Sequence, residues 1–343
     1  MNSNLLFPAE WHPQSGVQLS WPHAQTDWKS TLDQVTACYQ RIAYEISLRQ
    51  KLLVVCSNIN ETKAYLAHCD PTNIIYREIL TNDTWTRDHS GLTVIDNGQP
   101  ILLDFQFNGW GLKFPAYLDN QITRQLYEQQ VFVPTVEYRS MKNFVLEGGS
   151  LERDGDGTLL TTEACLLSRN RNDYLTKEQI GEYLKETLGV ERILWLKNGY
   201  LAGDDTDSHI DTLARFCNLQ TITYVQCTDS DDEHYEALAK MEEELQQFSI
   251  KAGKPYRLLP LPMADSMYDN EGNRLPATYA NFLIINEAVL LPFYRLPQDE
   301  SAREVLQQAF PNREIIGIPC EALVQQHGSL HCVTMQYPEG VLA

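Results

Sequence analysis

The 343-residue sequence has no continuous apolar run near the roughly 20 residues that a membrane-spanning helix requires. Its opening, Met1 to Gln14, has neither the basic leader nor the apolar centre of an export signal. The expectation is a cytoplasmic protein with no membrane partner. Eight cysteines, at 38, 56, 69, 165, 217, 227, 320 and 332, never fall in CxxC spacing and are too sparse for a small disulfide scaffold. Most therefore read as small buried hydrophobes. Basic residues are in deficit and dispersed: 27 Lys and Arg stand against 46 Asp and Glu, a net charge of −19. That balance argues against nucleic acid and anionic lipid, and favours a small cationic ligand.

What the sequence does have is enough apolar material, 43% of residues, for one large domain or two ordinary ones. Its patterning repeats. Helical spacing over 29–49, 121–130, 176–189, 234–248 and 301–310 is followed each time by a strand-like run: LLVVCS, VFVPTV, RILWL, YRLLPL and EIIGIP. Thr176 and Gln179 stand in capping-box spacing, and Gly189 and Pro311 act as stops. Between these units lie pairs of strand-like segments joined by turns, such as GLTVI and PILLDF around Asp96-Asn97-Gly98, or NFLIIN and VLLPFY around Glu287-Ala288. The last unit, with LHCVTMQ, lacks a final strand, which GVQLSW near the N-terminus can supply. Five units of about 60 residues predict a five-bladed α/β propeller closed by an N-terminal strand; a two-domain α/β protein is the competing architecture.

Chemically capable residues recur in phase with this period. Asp88 in WTRDHSG, Glu147 in EGGS, His209 and Asp211 in DTDSHID, and Cys332 in GSLHC are separated by 59, 62 and 123 residues from Asp88 to Glu147, to His209 and to Cys332. His209 and Asp211, two apart in HIDTLARF, are expected on one face of a strand. Each residue alone also has an ordinary reading: Asp88 as an ion pair with Arg87, Glu147 as a buried pair, His209 as a structural hydrogen bonder, Trp85 as core. A metal set of Asp207, His209, Asp211 and His331 stays open too, although no HExxH-like pair supports it.

Taken together, PAEWHPQSGVQLSWPH, WTRDHSG, EGGSLERDGDGTLLTTEACLLSRNRN, DDTDSHIDTLARF and GSLHCVTMQ resemble, in order and over nearly the whole chain, the agmatine deiminase and bacterial peptidylarginine deiminase family. The resemblance implies the pentein fold, a five-bladed α/β propeller, as a single catalytic domain over residues 1–343. It implies that Cys332 attacks a guanidinium carbon to form a covalent thiouronium, and that His209 serves as general acid and then base. Asp88 and Asp211 would clamp the planar cation while Glu147 orients the histidine. Trp85 would stack on the ligand, and Gly148 and Gly149 would admit close backbone approach. Agmatine and water would give N-carbamoylputrescine and ammonia with no cofactor or metal. Departures include Ser90-Gly91 in place of Gly-Pro, Ser208 in place of Gly before the histidine, and Glu152-Arg153 in place of His-Val. Deimination of arginine or peptidyl-arginine, amidino transfer, a noncatalytic binding module of the same fold and a metal hydrolase remain as alternatives. A homodimer is left open.

Overall fold

The computed structural model describes residues 5–343. Its elements form because local signals agree. The helix Lys177–Leu188 begins with a reciprocal Thr176 and Gln179 capping box and ends at Gly189, whose φ of 70° lies in the left-handed region that favours glycine. Leu32–Ser47 turns Val35, Tyr39, Ile42 and Ile46 inward on one stripe.

The described residues form five small sheets in a mixed α/β arrangement. One plan recurs in all five: an antiparallel pair, then a crossover helix, then a parallel strand. Leu92–Asp96 pairs with Gln99–Gln106, helix Asp119–Glu128 crosses over, and Glu137–Val145 returns parallel. Thr158–Thr162, Thr221–Gln226 and Ala288–Phe293 hold the same middle position, with helices Lys177–Leu188, Tyr235–Gln247 and Gln298–Ala309 leading to Arg192–Leu196, Arg257–Pro262 and Glu314–Pro319. In the last sheet Thr334–Pro338 pairs antiparallel with Gln14–Ser20, so the N-terminal strand completes the C-terminal unit as its pattern predicts.

The interior strands are buried on both faces, which is why they read as unbroken apolar runs. Along Lys51–Cys56, Leu52 and Val54 enter one apolar cluster while Leu53 and Val55 enter the other. The period of two thus ties two cores together through a single strand.

Three expectations are corrected. The strand placed at VFVPTV begins later, at Glu137: Pro134 has no N–H for a ladder, and Val133 bonds the carbonyl of Val341 instead. His209 and Asp211 do not share a strand. Asp207 and Ser208 have φ of 64° and 65°, Ile210–Thr212 form a 3-10 turn, and the strand starts only at Ala214. The run LHCVTMQ likewise becomes strand only from Thr334, leaving Cys332 in the preceding turn. Both shifts free side chains and backbone groups that a ladder would otherwise fix.

Candidate functional site

Gly149 marks where the far-separated residues meet. A Cβ built there would lie 2.6 Å from His209 Nδ1, 2.8 Å from Asp88 Oδ1 and 3.1 Å from Asp211 Oδ2, so only glycine leaves room. A Cβ on Gly148 would stand 2.2 Å from the carbonyl oxygen of Arg87. The pair therefore brings backbone against the Thr86–His89 turn, as its sequence suggests.

Asp88 is held from two sides: Gly149 N–H donates to Oδ1 at 2.9 Å and Trp110 Nε1–H donates to Oδ2 at 2.9 Å. Burial and, next among the upward causes, the charge of Glu147 nevertheless push its carboxyl up to about 7, against those two donors and Arg87. Asp211 is raised well above the usual carboxylate range by burial and by Asp88. Its Oδ2 shares a hydrogen bond with His331 Nδ1 at 2.7 Å, while Oδ1 has no partner among the described residues.

Cys332 Sγ lies 4.0 Å from Asp211 Oδ2 and 3.4 Å from Asn281 Oδ1. Burial and the charges of Asp211 and Asp88 push the thiol well up, so the site free of ligand holds it protonated. A cation between the two carboxylates opposes both of those charge effects. His209 is fully buried, 3.6 Å from Asp88 Oδ1, and neither ring nitrogen finds a hydrogen-bond partner among the described residues. Burial, with Arg171, holds its pKa well below the ordinary value, so it rests as the neutral imidazole.

Glu147 makes no hydrogen bond to His209. Its two oxygens each accept from Arg171 Nε at 3.0 Å, and Arg171 reaches on to Asp207 at 2.6 Å and the Thr206 carbonyl at 2.9 Å. Glu147, Cys165 and His209 gather ligand atoms within 4.8 Å, the one such group among the described residues. Arg171 already engages that carboxylate. The four residues weighed above as a metal set do not gather: Asp207 pairs with Arg171 and Lys113, and His331 bonds Asp211.

A cavity of about 200 Å³ opens onto Asp88 and Cys332. Trp85 and Trp110 wall it, and Gly328 permits this, because a Cβ there would meet the Trp85 ring at 2.3 Å. Asp27, Asp83, Asp204, Asp205 and His327 also line it, and among the described residues no lysine or arginine does. The acidic turn is structural as well: Asp204 accepts from the N–H groups of Thr206 and Ser208, shaping the turn that delivers His209. Sequence reasoning missed Trp110, Arg171, Asn281 and Glu10. Arg171 and Glu10 lie inside blocks quoted above, and that is the one signal the sequence offers for any of them.

A family model described as Porphyromonas-type peptidyl-arginine deiminase matches residues 6–338. A crystal structure of a Porphyromonas gingivalis protein, provisionally described as an arginine deiminase, is 52% identical with a TM-score of 0.95 over 99% of this chain and 100% of that one. An agmatine deiminase of C. jejuni solved with substrate bound is 39% identical, with a TM-score of 0.92, over 98% and 97% of the two chains. The agmatine deiminase of Pseudomonas aeruginosa strain LESB58 is 32% identical over 96% of this chain and 95% of its own.

Proposed function

Since the chain belongs to the Porphyromonas-type peptidyl-arginine deiminase family, we propose that it hydrolyses a small free guanidino compound, agmatine, to N-carbamoylputrescine and ammonia. One observation carries this reading: two buried carboxylates, Asp88 and Asp211, flank a single glycine, with a thiol 4.0 Å from the second. Such a pocket fits a planar cation that presents its carbon to sulfur. The lining, with four further acidic side chains and no lysine or arginine among the described residues, favours a second positive charge at the far end of the substrate. A free amino acid brings a carboxylate there and meets repulsion. Agmatine is the substrate class named for the C. jejuni and Pseudomonas relatives.

In this reading the guanidinium forks onto Asp88 and Asp211 and lowers the thiol pKa of Cys332. The thiol proton of Cys332 passes to neutral His209, the thiolate attacks the guanidinium carbon, the C–S bond forms, and one C–N bond breaks as the protonated His209 hands that proton to the departing ammonia. His209 then takes a proton from water; the oxygen attacks the same carbon, and the C–S bond breaks to return the thiolate and release the ureido product. Glu147 holds Arg171, which shapes the turn before His209; Trp85 and Trp110 enclose the ligand's apolar stem. No step calls on an organic cofactor or a metal.

The five sheets stand as blades around one axis of a single domain, a placement that their shared plan supports. Eight unpaired cysteines support a reducing, cytoplasmic location. No helix among the described residues is long and apolar enough to cross a membrane. The deciding experiment measures ammonia release from agmatine, arginine and a peptidyl-arginine. Agmatine is expected to lead, and Cys332→Ala to abolish turnover. An active alanine variant removes the nucleophile assignment, and a preference for arginine removes the substrate.

A further inference from the structure

Beside Asp211, His331 is enclosed by charge. Its Nδ1 lies 2.7 Å from Asp211 Oδ2 and its Nε2 lies 2.8 Å from Glu10 Oε2. Arg215 Nη2 stands 3.1 Å from that same Nε2 and 3.0 Å from Glu10 Oε2, while Arg215 Nε donates to Glu152 at 2.7 Å. Arg87 Nε approaches the His331 carbonyl at 3.4 Å, and Cys332 follows in the chain. All of these side chains are buried.

Two short hydrogen bonds on opposite sides of one imidazole require two protons. Glu10 does not supply one. Its Oε1 accepts from the Ile284 N–H at 2.7 Å and its Oε2 from Arg215 Nη2 at 3.0 Å, so both oxygens serve as acceptors of an ionised carboxyl. The Nε2 proton therefore belongs to His331 and points at Glu10. The second proton lies between Nδ1 and Asp211 Oδ2. Either the imidazolium faces a carboxylate, or the neutral ring faces a carboxylic acid. Burial, Arg215 and Arg87 disfavour charge on His331, and burial and Asp88 disfavour charge on Asp211. Both place the proton on Asp211 while the cavity holds no cation.

We propose that Glu10 and His331 form a positioning and proton-holding relay for Asp211: when a cation reaches the free Oδ1, the O–H bond at Oδ2 breaks and an N–H bond forms at Nδ1. Asp211 then meets the guanidinium as a carboxylate, and Glu10 balances the new imidazolium charge. No proton is gained or lost by the protein in this exchange. The relay rests on the assignment of Asp211 as a substrate clamp, and it gives Glu10 and His331 a purpose beyond packing.

The test replaces Glu10 by Gln, which keeps the shape and an oxygen for Ile284 but removes the charge. The measured quantity is the ratio of wild-type to E10Q kcat/KM for agmatine from pH 6 to pH 9, a ratio in which the titrations of Cys332 and His209 largely cancel. At low pH the ratio is expected to be on the order of 10 to 100, with KM changed more than kcat. It falls toward alkaline pH, because the Asp211 and His331 pair then loses its shared proton and Asp211 is anionic without help. A ratio that stays flat across the range overturns the relay and leaves only a structural contact.

A second measurement needs neither turnover nor the variant. In wild-type protein with 15N-labelled histidine, millimolar acetamidinium should move His331 Nδ1 from an acceptor to a protonated shift; a binding-saturated spectrum without that change also overturns the relay. Failure of the functional reading shows separately, as wild-type protein that releases no ammonia from agmatine.

Discussion

Two buried histidines, 209 and 331, each stand beside one of the two carboxyl groups around Gly149, His209 3.6 Å from Asp88 Oδ1 and His331 2.7 Å from Asp211 Oδ2, yet their surroundings differ completely. Among the described residues His209 has no hydrogen-bond partner on either nitrogen, whereas His331 has a short contact on both. A neutral, unpartnered ring is free to give and take a proton during a reaction. A ring held between two carboxyl groups can exchange a proton only with those neighbours, and serves to hold them. The His331 side of the site is saturated, with Arg215 reaching Glu10, Glu152 and two carbonyls. The His209 side leaves polar capacity for a ligand to complete. Buried polar groups are normally paired, and around Gly149 the two ring nitrogens of His209 and Asp211 Oδ1 have no partner among the described residues.

Breaking the contrast on its reactive side gives the largest expected effect. His209→Ala should lower kcat for ammonia release by about 10²- to 10⁴-fold while shifting the urea-unfolding midpoint little, since no hydrogen bond is lost. The opposite pattern is expected across the site. Arg215→Ala leaves Glu10 and Glu152 buried without their cation, and should cost about 3–5 kcal/mol of unfolding free energy in the same urea titration. If instead His209→Ala unfolds the protein and Arg215→Ala does not, the division between the two regions is wrong.

A smaller effect sharpens the pH side of the comparison. Asp88 must be ionised to hold a cation, and its carboxyl stands at about 7. Activity in kcat/KM is therefore expected to fall as pH drops through that region. Trp110→Phe removes a donor that stabilises the ionised form, so the acid limb should move upward by about 0.5 to 1 pH unit. The stability consequence has the opposite sign. Because the native carboxyl holds its proton to higher pH than the unfolded one, Asp88 makes the protein less stable as pH rises from about 4 to about 7. Asp88→Asn should lessen that decline, read as unfolding midpoints at pH 4 and pH 8.

The smallest effect concerns the turn that delivers His209. Ser208 adopts a φ of 65°, a region where glycine is at ease. Ser208→Gly should change unfolding free energy by less than about 1 kcal/mol and leave ammonia release near the wild-type rate. A large loss of activity there would show that the serine side chain, rather than the backbone shape, matters.

Much of this molecule is legible from its residues alone. Helix limits such as Thr176 to Gly189 follow from caps, and the pairing of Gln14–Ser20 with Thr334–Pro338 follows from a unit that lacks a strand. The residues around Gly149 stand out because they share a period. Their local conformation does not: His209 and Asp211 reach the site from a 3-10 turn rather than from a strand face. A run such as HIDTLARF carries strand-like composition throughout, yet two positive φ angles just before it, at Asp207 and Ser208 in the turn that Asp204 holds, lead its first residues into a 3-10 turn.

The sequence by itself determined the elements, their fivefold recurrence and which chemical groups fall at equivalent places, because caps, turns and apolar periodicity act over a few residues at a time. Tertiary structure alone decided which buried group answers which. Glu10 meets His331 across 321 positions, Trp110 meets Asp88 across 22, and Asn281 meets Cys332 across 51. Such partners are selected by the need to satisfy charge and hydrogen bonds in a dry interior, and that need arises only once distant segments have closed around it.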